Sequence, residues 1–91
     1  MALDDGTRLE RRIYGNVLYD LYAPLLTERQ RKVYEMRNFQ DLSFAEIAER
    51  LKISRQAAHI LSNRTVERLL TLEKRIEELK ALSDRSEKNV I

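Results

Sequence analysis

One face of the helix predicted to follow Ser54 carries side chains that can bond the edges of nucleic-acid bases. Projection at about 100° per residue turns Ala58, Leu61 and Thr65 inward. The polar and basic residues on the opposite face and its flanks are Arg55, Gln56, His59, Asn63 and Arg64. Amide side chains can bond an adenine edge through two hydrogen bonds, and Arg can bond guanine or a phosphate. This pattern predicts a nucleic-acid-binding site, and a solvated surface face is the alternative.

His59 and Ile60 on this face allow interpretations other than base contact, namely catalysis or metal binding for His59 and a partner contact for Ile60. His59 is the only histidine and the chain has no cysteine, so neither an activated nucleophile nor a metal-ligand cluster can be recognised. Adjacent acids such as Glu77 and Glu78 point in different directions on a helix, and no Gly-rich phosphate loop is present. We therefore expect no catalytic residue, no metal site and no cofactor. Ile60 could contact a thymine methyl group, although an exposed Ile more often marks contact with a partner.

Residues 43–65 are predicted to form a helix-turn-helix. Ser43 can cap a first helix, and Glu46 can complete a capping box. The apolar residues on one face of that helix are Phe44, Ile47, Ala48 and Leu51. Ser54 can cap the second helix, and Lys52 occupies the corner, where Gly is favoured because it adopts positive φ freely. Such a motif leaves the start of the second helix free to enter a major groove, and an ordinary helical hairpin is the alternative.

The sequence before this motif predicts two further helices. The first is expected from about residue 7 to residue 22, because Pro24 cannot continue it. Thr27 and Gln30 form a second capping box, which opens a helix through about Asn38. The apolar stripe of the first helix consists of Ile13, Val17 and Leu21, with Tyr14, Leu18 and Leu25 beside it. The apolar side of the second helix consists of Val33, Tyr34 and Met36.

The last helix is predicted to extend well beyond the motif, because no Pro or Gly occurs from Ser54 to the end. It is expected to continue through residues 66–82, followed by a polar, frayed tail at 83–91. Spacings of three and four, typical of a coiled-coil seam, relate Leu69, Leu72, Ile76 and Leu79. These four residues are predicted to form the interface of a homodimer, and packing back onto the first helix is the alternative.

Length and composition predict a single all-α domain over residues 1–91. The chain has only 2 Gly and 1 Pro and is rich in residues that favour helices. Its net charge of +2 is small, and most of the excess lies in residues 54–70, which favours modest nucleic-acid affinity or dependence on a dimer. The absence of Cys, of a signal-peptide pattern and of a long apolar run predicts a cytoplasmic protein without a membrane span.

Four motifs between Asn16 and Glu78 are distinctive in their residues and in their spacing along the chain: LYDLY, LLTERQR, SFAEIAERLKISRQA and NRT. The run that contains them resembles the YlxM family of small bacterial proteins. That family is in turn similar to the fourth region of primary-type sigma factors, whose helix-turn-helix reads promoter DNA. The chain departs from the family pattern at residues 58–61, where AHIL stands in place of a β-branched residue followed by Tyr and more polar positions.

The resemblance also implies partners, because YlxM proteins are associated with the signal recognition particle, chiefly through neighbouring genes. Three functional hypotheses follow. The first is a regulatory protein that binds DNA through the five outward-facing residues of the second motif helix. The second is an accessory protein that binds the RNA or the GTPase subunit of the signal recognition particle. The third is a detached sigma-type module that contacts RNA polymerase.

Overall fold

Helices form all of the regular structure in the part of the chain that is described. The computed structural model describes the backbone of residues 2–89 and the side chains of residues 9–85. The four helices are α1 (Ala2–Tyr22), α2 (Glu28–Asn38), α3 (Phe44–Leu51) and α4 (Arg55–Asn89), and a short 3-10 helix (Ala23–Leu25) follows α1. The all-α prediction is therefore confirmed, with α3 and the start of α4 forming the predicted helix-turn-helix.

Both predicted capping boxes are confirmed. The Thr27 hydroxyl accepts from the Gln30 backbone N–H at 3.1 Å, and the Gln30 side chain accepts from the Thr27 N–H at 3.0 Å. Ser43 and Glu46 make the same reciprocal pair at the start of α3. The hydrogen bond from the Ser43 backbone N–H to the Glu46 carboxylate lowers the pKa of Glu46, because it stabilises the charged form.

The predicted ends of the two long helices need correction. Helix α1 begins at Ala2 rather than near residue 7, and it passes through Gly6. A Gly inside a helix costs only about 1 kcal/mol relative to Ala, which a long helix tolerates. Helix α4 continues to Asn89 rather than ending near Leu82, since neither Pro nor Gly follows Leu82 to break it. Of the tail predicted to be frayed, residues 90–91 and the side chains after residue 85 lie outside the described part.

The break between α1 and α2 lies where Pro24 predicts it. Pro24 lies within the first two positions of the 3-10 helix, where its missing N–H removes no helical hydrogen bond. Arg31 of α2 donates to the carbonyls of Ala23 and Leu26 at 3.2 and 2.6 Å. These bonds hold the turn against α2, and the Ala23 carbonyl also accepts from the Leu26 backbone N–H at 3.0 Å.

Lys52 makes the corner of the helix-turn-helix in the left-handed conformation, with φ 56° and ψ 46°. Its N–H and that of Ile53 both bond the carbonyl of Ala48, which closes the end of α3. A residue with a Cβ is strained by roughly 1–2 kcal/mol in this conformation. The sequence therefore uses Lys at a position whose backbone favours Gly.

We expect Lys52→Gly to raise the free energy of unfolding by about 0.5–1 kcal/mol, because relief of the strain exceeds the extra chain entropy of Gly. Urea denaturation followed by circular dichroism measures the change. Lys52→Ala is the matched control, since it removes the same ammonium group but keeps the Cβ. An equal gain in both variants would show that the side chain, and not the backbone, is responsible.

The helix-turn-helix has its own core, made by α2, α3 and the start of α4. Its buried members are Val33, Ile47, Ala48 and Ala58. The half-buried side chains around them are Met36, Leu42, Phe44, Leu51, Ile53 and Leu61. Ala48 and Ala58 are small, which lets the two motif helices approach closely. The apolar face predicted for α3 is therefore confirmed.

A second core joins α1 to the middle of α4 and changes the interpretation of the predicted seam. It contains Leu18, Tyr19, Tyr22, Leu26, Tyr34, Leu69 and Leu72. Leu69 is 1% exposed and Leu72 is 9% exposed, so both belong to the core of the monomer and cannot form a dimer seam. Ile76 packs on the edge of this core, whereas Leu79 is 64% exposed. In the structure, Leu69 and Leu72 therefore pack back onto α1, which was the alternative to the seam.

Three tyrosine hydroxyls bond polar groups across helix boundaries at the edge of this core. Tyr19 donates to Glu35 and Tyr22 to Glu73, both at 2.5 Å; in addition, Tyr34 donates to Asn16 at 2.7 Å. The pKa of each of these tyrosines is raised to about 12. Burial is the main cause for Tyr19 and Tyr34, and the hydrogen bond to the Glu73 carboxylate is the main cause for Tyr22.

These raised pKa values predict a loss of stability at alkaline pH. The native state holds the phenolic protons more tightly than the unfolded chain, whose tyrosines titrate near their ordinary pKa of about 10. The stabilisation is therefore fully present below about pH 10 and is lost as the pH rises to about 12. Urea denaturation at increasing pH, with tyrosinate absorbance as a second readout, measures this loss. Tyr22→Phe should show a smaller loss over that interval, and an unchanged loss would contradict the assignment.

Candidate nucleic-acid interface

The start of α4 is held at the surface by the cap at Ser54. The Ser54 hydroxyl accepts from the Ala57 backbone N–H at 3.0 Å, and its carbonyl accepts from the Ala58 N–H at 3.0 Å. This cap is the one predicted from the sequence. It places Arg55 and Gln56 in the first turn of the helix, immediately after the corner at Lys52.

All five side chains predicted to bind nucleic acid are exposed, namely Arg55, Gln56, His59, Asn63 and Arg64. The inward face is also as predicted, since Ala58 and Thr65 are fully buried and Leu61 is half-buried. The Thr65 hydroxyl is satisfied by the Leu61 carbonyl at 2.8 Å. The helix therefore presents one apolar side to its own core and one polar side to solvent, and the role of the polar side stays a prediction.

His59 is positioned by neighbours that the sequence did not identify as part of the site. Its ring meets the ring of Phe44 edge to face, with centroids 4.5 Å apart, and the guanidinium of Arg37 lies 4.5 Å from the Phe44 centroid. Arg37 is itself anchored by a hydrogen bond to the Leu42 carbonyl at 3.1 Å. The Nδ2 of Asn63 lies 3.5 Å from Nδ1 of His59. A stack from three helices thus supports the outward face.

Two shallow grooves flank this face. A groove of about 570 Å³ is lined by Phe44, Arg55, Gln56 and His59. On the other side, a groove of about 330 Å³ is lined by Arg29, Ile53, Ala57, Ile60, Leu61 and Arg64. Ile60, which is 43% exposed, therefore lies in an apolar depression between two arginines.

The arginines around the outward face are available to bind anions. Among the described side chains, ion pairs form only between Arg12 and Asp41 and between Lys32 and Glu28. The exposed arginines of the face and its grooves are Arg29, Arg37, Arg55 and Arg64. They come from α2 and α4, so folding brings together basic residues that are far apart in the sequence. This local charge is more favourable for nucleic acid than the small net charge indicates.

The side chains described for residues 9–85 contain no group of three acidic, His or Cys residues arranged to hold a metal ion. Over the same part of the chain, each helix is too short or too polar to pass through a lipid bilayer.

Comparison with known proteins links the chain to one family. The model of the UPF0122 family, described as "Putative helix-turn-helix protein, YlxM / p13 like", matches residues 9–89. A UPF0122 protein of Clostridium botulinum strain Alaska E43 is 45% identical over 83 residues, which are 91% of this chain and 75% of that protein. A UPF0122 protein of Halalkalibacterium halodurans is 38% identical over 79 residues, 87% of this chain and 72% of that protein. The match to a UPF0122 protein of Clostridium kluyveri, 48% over 56 residues, spans half of the relative.

Proposed function

Because the chain belongs to the UPF0122 family of YlxM/p13-like helix-turn-helix proteins, we propose that it is a regulatory protein that binds duplex DNA through the start of α4. It acts in the cytoplasm and has no catalytic role. The observation that carries the proposal is the exposed set of side chains able to bond bases at the start of α4, bordered by arginines from α2.

In this proposal the first turns of α4 lie in the major groove. Arg55 and Gln56 are at the end of the helix that contacts bases in helix-turn-helix proteins. Arg55 has the donors to bond guanine, and Gln56 can both donate to and accept from adenine. His59 and Asn63 lie one and two turns further along the same face, and they extend the contact to neighbouring bases.

In this proposal, arginines of α2 and α4 contact the phosphates of the DNA backbone. Arg29 and Arg64 border one groove of the face, while Arg37 stacks on Phe44 beside the other. Guanidinium groups in these places can bond phosphates on the two sides of the major groove, which sets the orientation of the helix without reading sequence. We therefore expect a steep dependence of affinity on salt, because phosphate contacts release counterions.

The direct test is selection of bound duplexes from a random library, followed by gel-shift titration of the selected duplex and a scrambled duplex of equal length. Specific regulators bind their own site roughly 10³-fold or more tightly than other sequences at physiological salt. Enrichment of one sequence together with such discrimination supports the proposal. Equal, weak binding of all duplexes would overturn it.

A second candidate is an accessory role in the signal recognition particle pathway, through the particle RNA or its GTPase subunit. The exposed Ile60 favours it, since an exposed apolar side chain more often marks contact with a protein partner or an unpaired base than with a duplex groove. Pull-down from cell extract with and without nuclease distinguishes the candidates. Recovery of the particle subunit after nuclease treatment favours the second candidate, whereas recovery of RNA polymerase favours a sigma-type module.

A further inference from the structure

Helix α1 has an apolar stripe that lies outside both cores of the described chain. The stripe consists of Leu9, Ile13, Val17 and Leu21, which recur at every fourth residue and are 50–63% exposed. The buried residues of α1, such as Leu18 and Tyr22, lie on the opposite side of the helix. The stripe therefore does not support the fold of the monomer, although its spacing is that of a packed helix face.

The exposed apolar surface is larger than the α1 stripe alone. Tyr14 and Leu25 lie beside it and are also at least half exposed, and Tyr14 leads into an apolar groove of about 350 Å³ between α1 and α4. These six side chains leave roughly 600 Å² uncovered, the upper end of what a monomer usually shows. If two such surfaces covered each other completely, they would bury roughly 1,200 Å², about the smallest area of a stable protein interface.

We propose that the α1 stripe is the interface of a homodimer in which the α1 helices of two subunits pack antiparallel. The stripe is evenly spaced about its midpoint, so an antiparallel pair with a two-fold axis brings an apolar residue opposite an apolar residue at all four positions. Leu9 then lies opposite Leu21 of the partner subunit, and Ile13 lies opposite Val17 of the partner subunit. The stripe replaces the seam predicted on α4, because two of the four seam residues, Leu69 and Leu72, are already buried in the monomer.

This inference extends the proposed function, because a homodimer would let the protein read two half-sites on DNA. The test of the dimer nevertheless involves no nucleic acid. Sedimentation equilibrium at up to about 100 μM chain measures self-association directly. A dimer of the unmodified chain is expected, and Ile13→Lys with Val17→Lys should weaken it by more than about 100-fold. Because both positions are exposed in the monomer, circular dichroism should show that the variant remains folded.

Leu79→Lys is the control, since Leu79 is equally exposed but lies outside the α1 stripe. It should leave the dimer unchanged. A monomer at all concentrations, or a dimer lost with Leu79→Lys and kept with the α1 variant, would overturn the inference. Binding of selected DNA by a strict monomer would overturn the dimer alone and leave the proposed function standing.

The natural absence of cysteine allows a second test that does not rely on disruption. Chains with Leu9→Cys and chains with Leu21→Cys are oxidised separately and as a mixture. In an antiparallel pair, the two copies of either residue are separated by about 18 Å along the helix axis, whereas residues 9 and 21 of different subunits meet. Cross-linking in the mixture alone supports the proposal, and efficient cross-linking within each separate variant would overturn it.

Discussion

Replacing Leu69 with Ala is expected to lower the free energy of unfolding by about 3–4 kcal/mol. Leu69 is 1% exposed and lies in the core that joins α1 to the middle of α4. Truncation there removes apolar contacts with α1 and leaves a cavity that the surrounding helices fill only in part. Since a domain of this size is stable by about 5–14 kcal/mol, the loss is a large part of the total. Urea denaturation of purified protein measures it.

Leu79→Ala is the matched control for this experiment. It makes the same chemical change on the same helix, but Leu79 is 64% exposed, so a change below about 0.5 kcal/mol is expected. Similar, small effects at both positions would mean that α4 does not pack on α1 in solution. The seam predicted from the heptad-like spacing would then be free for a dimer after all.

The spacing of apolar residues identified the packed side of α4 but not what packs on it. Leu69 and Leu72 satisfy the requirements of a coiled-coil seam and those of a helix folded back on α1 equally well. The choice depends on whether the loops let α1 reach α4, which is a property of the tertiary fold. Local spacing contains no information about it.

For α1 the aliphatic stripe is the exposed side of the helix, and the tyrosines are on the buried side. Tyr19 and Tyr22 are buried because their hydroxyls reach carboxylates on α2 and α4, so the rings can enter the core without an unsatisfied polar group. Those carboxylates, Glu35 and Glu73, are distant in sequence. A periodicity analysis that weighs aliphatic residues most heavily cannot detect such partners.

The features that were predicted correctly are those determined by neighbours in the sequence. The caps at Thr27, Ser43 and Ser54 depend on side chains within three residues of the backbone groups they bond. The exposure of the outward face of α4 follows from helical periodicity in the same local way. The support of His59 by Phe44 and Arg37 was missed because it is assembled from three helices.

Combining Arg55→Ala with Gln56→Ala is expected to weaken binding to a selected duplex by at least about 30-fold, since each good base contact contributes about 1–3 kcal/mol. The two side chains are exposed in the first turn of α4 and bury nothing in the monomer core, so folding should be unaffected. Gel-shift titration of the selected and scrambled duplexes at one salt concentration measures both affinity and discrimination. We expect discrimination to fall most, because binding to scrambled DNA loses only the attraction of one charge.

Arg75→Ala separates base reading from general electrostatic attraction. It removes the same positive charge from an exposed position on α4, far along the helix from its first turn. A protein that only attracts DNA by charge would respond alike to both changes and show no loss of discrimination in either. A protein that reads bases through the start of α4 loses discrimination in the Arg55 and Gln56 variant alone, because major-groove contacts in a helix-turn-helix concentrate in the first turns of its second helix.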